Sequence, residues 1–220
     1  MISAIVPAYN EAERIGCTVT AIRSIDGVDE IIVVDDGSSD ETARLADEAG
    51  ALVIRRHENA GKGAALTTGV QAAAGDILLL LDGDLGETAE QAGRLLEPVR
   101  SGSADMAIAS FPVIPGRGGG MGLVVKLARS GIRRATGQTM ADPLSGQRAL
   151  RREVWERIGG FEPGFGAEVA LTIDAIRAGF RVVEVPTTMT HRVTGRDWAA
   201  KRHRARQLMA VARALWKRRK

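Results

Sequence analysis

Apolar positions in the first half of the chain come in short unbroken runs, and each run stops at a polar or acidic cluster. Ile2 to Val6 ends at Pro7-Ala8-Tyr9-Asn10-Glu11, Ile31-Ile32-Val33-Val34 at Asp35-Asp36-Gly37-Ser38, and Ile77 to Leu81 at Asp82-Gly83-Asp84. Runs of this length bounded by turn residues read as strands buried on both faces. Between them the period changes. Ile15, Val19, Ile22 and Ile25 recur at spacings of three and four, the stripe of an amphipathic helix. The pattern predicts further strands at about 30–35, 51–55 and 76–81, with helices at about 40–49 and 62–74. Ser39 or Asp40 is the expected N-cap of the second helix, with acids in its first turn. Strands alternating with helices predict an α/β fold with right-handed crossovers and a mostly parallel, Rossmann-like sheet flanked by helices.

In an open parallel sheet, ligands bind outside the carboxyl ends of the strands, which is where both acidic clusters fall. Carboxylates massed there repel one another unless a cation or a hydrogen-bonded polar ligand compensates them. Asp82-Gly83-Asp84 offers two carboxylates that can face one divalent ion from neighbouring positions, and its glycine lets a ligand approach the backbone. Lys62 stands between Gly61 and Gly63 at the mouth of a predicted helix, where backbone donors, the positive dipole end and an ammonium converge on an anion. The spacing is not that of a P-loop.

Four segments resemble, in order and spacing, successive signatures of family 2 nucleotide-sugar glycosyltransferases. They are Val6 to Glu11, Val34 to Asp40, Asn59-Ala60-Gly61-Lys62-Gly63 and Leu81 to Asp84, and they cover the first half of the chain. The second half is similar to the glucosyl- and mannosyl-3-phosphoglycerate synthases through Gly164-Phe165-Gly166-Ala167-Glu168, a helix ending near Asp174, and Thr190-His191-Arg192. Asp142-Pro143-Leu144-Ser145-Gly146-Gln147-Arg148-Ala149 is similar instead to the dolichyl- and polyprenyl-phosphate sugar transferases.

The resemblance implies a single GT-A domain over 1–220, with a nucleotide-sugar half (about 1–110) and an acceptor half (about 111–220) that ends in a basic helix at 198–220. It implies metal-dependent transfer of a sugar from a nucleoside diphosphate, with Mg2+ or Mn2+ bridging the diphosphate oxygens as the sugar bond breaks. Pro7, Ala8, Tyr9, Glu11, Asp36, Lys62, Asp82 and Gly83 would hold the donor, and Asp84 and His191 the metal. Glu168, or alternatively Asp142, would take the acceptor proton or orient the acceptor. Arg117, on the glycine-rich loop Pro115 to Gly120, and Arg192, with Arg196 beside it, would neutralise an anionic acceptor. The acceptor is a small anion such as 3-phosphoglycerate on one resemblance and a polyprenyl phosphate at a membrane surface on the other. The family 2 likeness implies inversion, and the phosphoglycerate-synthase likeness implies retention. A sugar-phosphate nucleotidyltransferase would also place carboxylates at strand ends, but Val6 to Glu11 stands where its glycine-rich triphosphate loop would lie.

Composition changes this picture little. With 220 residues, 45% hydrophobic and 26% charged, the chain can bury a sizeable core. The one cysteine, Cys17, excludes an internal disulfide and is expected as a small buried hydrophobe near the first helical stripe. No apolar segment approaches the roughly 20 residues that span a bilayer, and no leader pattern precedes the first strand, so a cytoplasmic protein is expected. Charge is uneven: residues 198–220 hold nine Lys/Arg and no acid within a net charge of +3, leaving the remainder acidic. Leu208, Val211, Ala212, Leu215 and Trp216 fall there at helical spacing. That segment reads as a packed terminal helix, with peripheral contact to anionic lipid as the second reading. Nucleic acid is not expected, since no such binding fold accompanies the charge and aromatic residues are few. Remaining expected partners are the nucleotide sugar, its acceptor and a homodimer mate.

Overall fold

The computed structural model describes residues 1–111, 122–161, 166–190 and 198–219, with side chains of the last helix described from residue 207. Strands β1 (Ile2–Ala8), β2 (Glu30–Asp35), β3 (Leu52–Arg55) and β4 (Ile77–Leu80) alternate with helices α1 (Ile15–Arg23), α2 (Thr42–Glu48) and α3 (Lys62–Ala72). A 3-10 turn (Gly86–Ala92) and α4 (Gly93–Arg100) lead to β5 (Met106–Ser110). Helix α5 (Gly122–Thr136), β6 (Arg148–Arg151), α6 (Arg152–Ile158), α7 (Ala167–Arg177), β7 (Val182–Pro186) and α8 (Trp198–Lys217) complete the chain.

All seven strands form one sheet in the order β3-β2-β1-β4-β6-β5-β7. Parallel pairing joins β3 to β2, β2 to β1, β1 to β4, and β5 to β7. The exception is β6, antiparallel to both β4 and β5. Its reversal puts Arg148, its first residue, opposite Leu80, the last residue of β4. The segment before β6 therefore lies against the carboxyl end of β4. The expected sheet is mostly parallel, as predicted, but mixed.

Because side chains alternate across a strand, the apolar runs divide between two faces. Ile2, Ala4, Val6, Ile31, Val33, Leu79 and Leu81 pack with Ile15, Val19, Ile22 and Ile25, the predicted stripe of α1 and its exit. Ile5, Ile32, Val34, Leu78 and Leu80 pack on the other side with Ala65, Leu66 and Val70 of α3 and Leu171 of α7. A third cluster joins α5, α7 and α8 through Val124, Ile132, Ile173 and Val211.

Two local expectations change. Cys17 is exposed, because it lies about 200° around the helix from Ile15, off the apolar stripe. Helix α2 begins at Thr42, later than predicted, though Asp40 still accepts the Thr42 backbone N–H (3.1 Å) at its mouth. Among the described residues no helix is long and apolar enough to cross a membrane.

Helix α3 can lie close to the sheet because position 69 is glycine. A Cβ there would stand 2.4 Å from Ile5 Cγ2 and 3.2 Å from Val34 Cγ2. Alanine favours a helix interior over glycine by about 1 kcal/mol, while overpacking a core costs about 1–3 kcal/mol. The clash is expected to win. Gly69→Ala should lower stability by about 1 kcal/mol in urea denaturation, and Gly69→Val by more.

Candidate active site

The parallel register brings the polar ends of β1, β2 and β4 to one edge, and the reversed β6 closes it with the segment before its own start. The result is a cleft of about 460 Å³. Pro7, Tyr9 and Glu11 enter it from the end of β1, Lys62 from α3, Asp82, Gly83 and Asp84 from β4, and Glu168 from α7. Residues Asp142 to Gln147 form its floor, and Phe111, Val124, Val125 and Gln207 its wall.

At its centre, Lys62 Nζ lies 2.6 Å from Asp82 Oδ1 and 3.3 Å from Glu168 Oε1. Burial alone would lower the pKa of this ammonium, but the charges of Asp82 and Glu168 outweigh it and hold the pKa well above the usual lysine range. Lys62 is therefore a fixed cation. Gln147 Nε2 donates to the other Asp82 oxygen, Oδ2, at 2.7 Å. Gly146 lies directly under the pair, with its missing Cβ only 2.2 Å from Lys62 Nζ.

Backbone-directed hydrogen bonds hold the surrounding loops. Thr18 Oγ1 donates to Gly83 O (2.8 Å) and accepts from Gly86 N–H (2.8 Å), fixing the Asp82–Asp84 turn against α1. Arg14 Nη1 donates to Asp84 O (3.1 Å). Asn10 has φ 55°, a left-handed conformation that a short polar side chain tolerates. It donates through its N–H to Ser38 Oγ and accepts Ser39 N–H at Oδ1, both at 2.9 Å. Asp36, 3% exposed, accepts the N–H groups of Ala60 (3.2 Å) and Gly61 (2.7 Å), with Arg56 Nε at 3.4 Å. Gly61 stands at φ 88°, a conformation open to glycine, and turns the chain into Lys62. On the far side, Asp142 Oδ2 accepts Phe111 N–H (2.7 Å), while Glu184 accepts the N–H groups of Ala141 and Asp142 (2.7 Å each).

The structure thus brings together Pro7, Tyr9, Glu11, Lys62, Asp82, Gly83, Asp84, Asp142 and Glu168 of the residues expected from sequence. Ala8 is buried beneath them at 3% exposure. Asp36 does not line the cleft; its carboxylate holds the loop that delivers Lys62. Arg117, His191, Arg192 and Arg196 lie outside the described residues. Among the described residues no three of His, Cys, Asp and Glu group to hold a metal ion by themselves. The expected ligand pair has its Asp84 member in the cleft, and two aspartates at one strand end are hard oxygen donors suited to Mg2+ or Mn2+.

Sequence reasoning assigned no role to Gln147, Phe111, Glu184 or Arg148. Their signal is tertiary: Gln147 reaches Asp82 only because β6 runs antiparallel to β4, a direction no periodicity encodes.

Comparison with known proteins agrees with this geometry. The model of the family described as Glycosyl transferase family 2 matches residues 3–159. The polyprenol monophosphomannose synthase of Mycolicibacterium smegmatis is 36% identical over 207 residues, 87% of this chain and 78% of that protein. Glycosyltransferase AglJ of Haloferax volcanii is 33% identical over 198 residues, 88% of this chain; the chain spans 64% of that relative's length. Among solved structures, glucosyl-3-phosphoglycerate synthase from Mycobacterium tuberculosis, in complex with Mn2+, UDP-glucose and phosphoglyceric acid, aligns with a TM-score of 0.80. It is 28% identical, over 98% of this chain and 80% of that one.

The contact beneath Lys62 can be tested directly. Gly146→Ala is expected to push the ammonium off its position, because the nearest atom to the new methyl is Nζ itself, the mobile end of a side chain. Isothermal titration should show nucleoside-diphosphate affinity reduced about tenfold by lost preorganisation. Urea denaturation should show little change in stability.

Proposed function

The chain belongs to glycosyl transferase family 2, and from that premise we propose that it transfers a sugar from a nucleoside-diphosphate sugar to a small anionic acceptor of the 3-phosphoglycerate kind. The observation that carries the reading is the convergence of Tyr9, Glu11, Lys62, Asp82, Asp84 and Glu168 on one cleft from four separate stretches of chain. The complex of the tuberculosis synthase with UDP-glucose, Mn2+ and phosphoglyceric acid supports it as well.

In this reading Pro7, Ala8, Tyr9 and Glu11 shape the nucleotide pocket, with Asp36 either meeting the base or ribose or holding the Lys62 loop for them. Asp82 orients the donor, and its carboxylate is itself oriented by Gln147. Asp84, with His191 as second ligand, would hold Mg2+ or Mn2+, which when bound supplies positive charge against the leaving diphosphate. Lys62 turns from its carboxylates toward the donor phosphate. Glu168 accepts the proton of the attacking hydroxyl or positions it, with Asp142 as the alternative base. Arg117 and Arg192 neutralise the acceptor's own charge. Residues 1–110 would serve the donor and 111–220 the acceptor, in the cytoplasm.

A second acceptor has a specific observation in its favour. Asp142 to Gln147, from the segment similar to the polyprenyl-phosphate transferases, form the cleft floor, and the Mycolicibacterium relative is a polyprenol monophosphomannose synthase. One assay covers both. UDP- and GDP-sugars are offered with and without Mn2+, first with 3-phosphoglycerate and then with a polyprenyl phosphate, and nucleoside-diphosphate release is followed. Release with 3-phosphoglycerate alone is expected. Failure to bind any nucleotide sugar under any metal would end the proposal, and pyrophosphate release from UTP or GTP would point to nucleotidyl transfer.

Asp84→Ala is expected to cut turnover by about a thousandfold or more while far-UV circular dichroism stays unchanged, the scale of loss when charge stabilisation of the leaving group is removed. NMR assignment of the product's anomeric centre will distinguish inversion from retention.

A further inference from the structure

Helices α5 and α8 pack side by side at Gly131, where a Cβ would meet Leu215 within 3 Å. Beside that contact lies a groove of about 840 Å³, larger than the active-site cleft and separate from it. Leu127, Leu215 and Trp216 line it, with Arg134, Arg213 and Arg219 exposed at its rim.

Three observations say what this face meets. The first is charge. Helix α5 carries Lys126, Arg129, Arg133 and Arg134 and no acid, and residues 198–220 carry nine more Lys/Arg and no acid. The second is apolar exposure. Of the six large hydrophobic residues exposed among the described ones, Leu123 (68%), Met209 (64%) and Trp216 (69%) all lie on these two helices. The third is continuity. The same helices supply Val124, Val125 and Gln207 to the wall of the cleft.

We propose that the α5–α8 face, with its groove, is a docking surface for an anionic lipid bilayer: the arginines meet headgroup phosphates, and Trp216, Met209 and the groove take up the apolar region beneath them. Clustered Lys/Arg gain favourable energy at a negatively charged membrane surface, and a tryptophan sits well where apolar and wet zones meet. A second copy of the chain fits this face poorly, because a two-fold contact would bring together two copies of the same arginine-rimmed face, whose lining holds no acid. A nucleic acid would use the charge and leave the exposed Leu123, Met209 and Trp216 without purpose.

The proposal concerns the surface and not the transfer reaction, so its test needs neither donor nor acceptor, and its failure leaves the transferase reading intact. The full chain is sedimented with vesicles of phosphatidylcholine alone and of equal parts phosphatidylcholine and phosphatidylglycerol, at low and at molar salt. Binding only to the phosphatidylglycerol vesicles, weakened by salt, is expected. The double charge reversal Arg134→Glu/Arg213→Glu should weaken it by about tenfold or more. The vesicle-induced blue shift of tryptophan emission should vanish in Trp216→Phe, a surface substitution that leaves charge unchanged. Equal binding to both vesicles, binding untouched by the charge reversal, or a blue shift that survives Trp216→Phe would overturn the proposal. So would a salt-sensitive complex with single-stranded RNA formed in the absence of any vesicle binding, or a stable dimer that hides Trp216.

Discussion

The site depends on one ammonium group held between two carboxylates. Lys62 reaches Asp82 and Glu168 at once, and these three side chains come from the start of α3, the end of β4 and the first turn of α7. Without the cation, Asp82 and Glu168 would face each other across the cleft as like charges. With it, the exit of β4 and the first turn of α7 share one electrostatic tie. The triad remains partly wet, with Lys62 32% and Asp82 30% exposed, so its contribution to global stability is modest. Its value lies in position. Any anion that enters the cleft beside Asp82 meets an ammonium that is already charged and placed.

Behind the triad lies a second cation with a different balance. Arg148 is 1% exposed, donates from Nε to Ser145 O (2.9 Å) and from Nη1 to Thr172 Oγ1 (3.0 Å), and its Nη2 has no hydrogen-bond partner among the described residues. Burial pulls its pKa down to about 10, with the more distant charges of Glu168 and Glu184 acting the other way, so it stays protonated at neutral pH. A buried guanidinium with no carboxylate in contact carries a real desolvation cost. What offsets that cost is geometric: Arg148 joins the cleft floor, through Ser145, to α7, where Thr172 Oγ1 also donates to Glu168 O (2.8 Å). The two segments that carry Gly146 and Glu168 therefore share an anchor beneath the reacting groups.

The donor edge was legible in the sequence because parallel βα repeats make it so. Once Ile2 to Val6, Ile31 to Val34 and Ile77 to Leu81 are read as neighbouring buried strands, their polar exits must fall on one edge, and Tyr9, Glu11, Asp82 and Asp84 do. Lys62 was expected from its flanking glycines to meet an anion, but its ion pairs with Asp82 and Glu168 were not legible, since Glu168 is more than a hundred residues away. Asp36 was expected to face the donor from its strand end; that its carboxylate takes two backbone N–H groups of the Lys62 loop was not legible from its neighbours Gly37-Ser38. Cys17 was displaced by a simpler error, proximity to an apolar stripe in sequence without membership of it in angle. The hidden element was β6. Its direction decides that Gln147 meets Asp82, and direction is a property of the sheet as a whole.

The two sides of the cleft are built by different means. One side rests on strand ends whose spacing is set by the hydrogen-bond ladder. The opposite wall rests on Phe111, Val124, Val125 and Gln207, that is, on the exit of β5 and on α5 and α8, which pack through the separate Val124, Ile132, Ile173 and Val211 cluster. That cluster takes in Ile173 of α7 and meets Val182 of β7, so α5 and α8 lean on the β7 edge of the sheet. Gln207 in the wall and Trp216 on the groove lie on the same helix, separated by about 13 Å of helical rise. A contact on α8 from outside therefore bears on the helix that also supplies Gln207 to the cleft wall, whereas Lys62 is carried by α3 and Asp82 and Asp84 by the exit of β4.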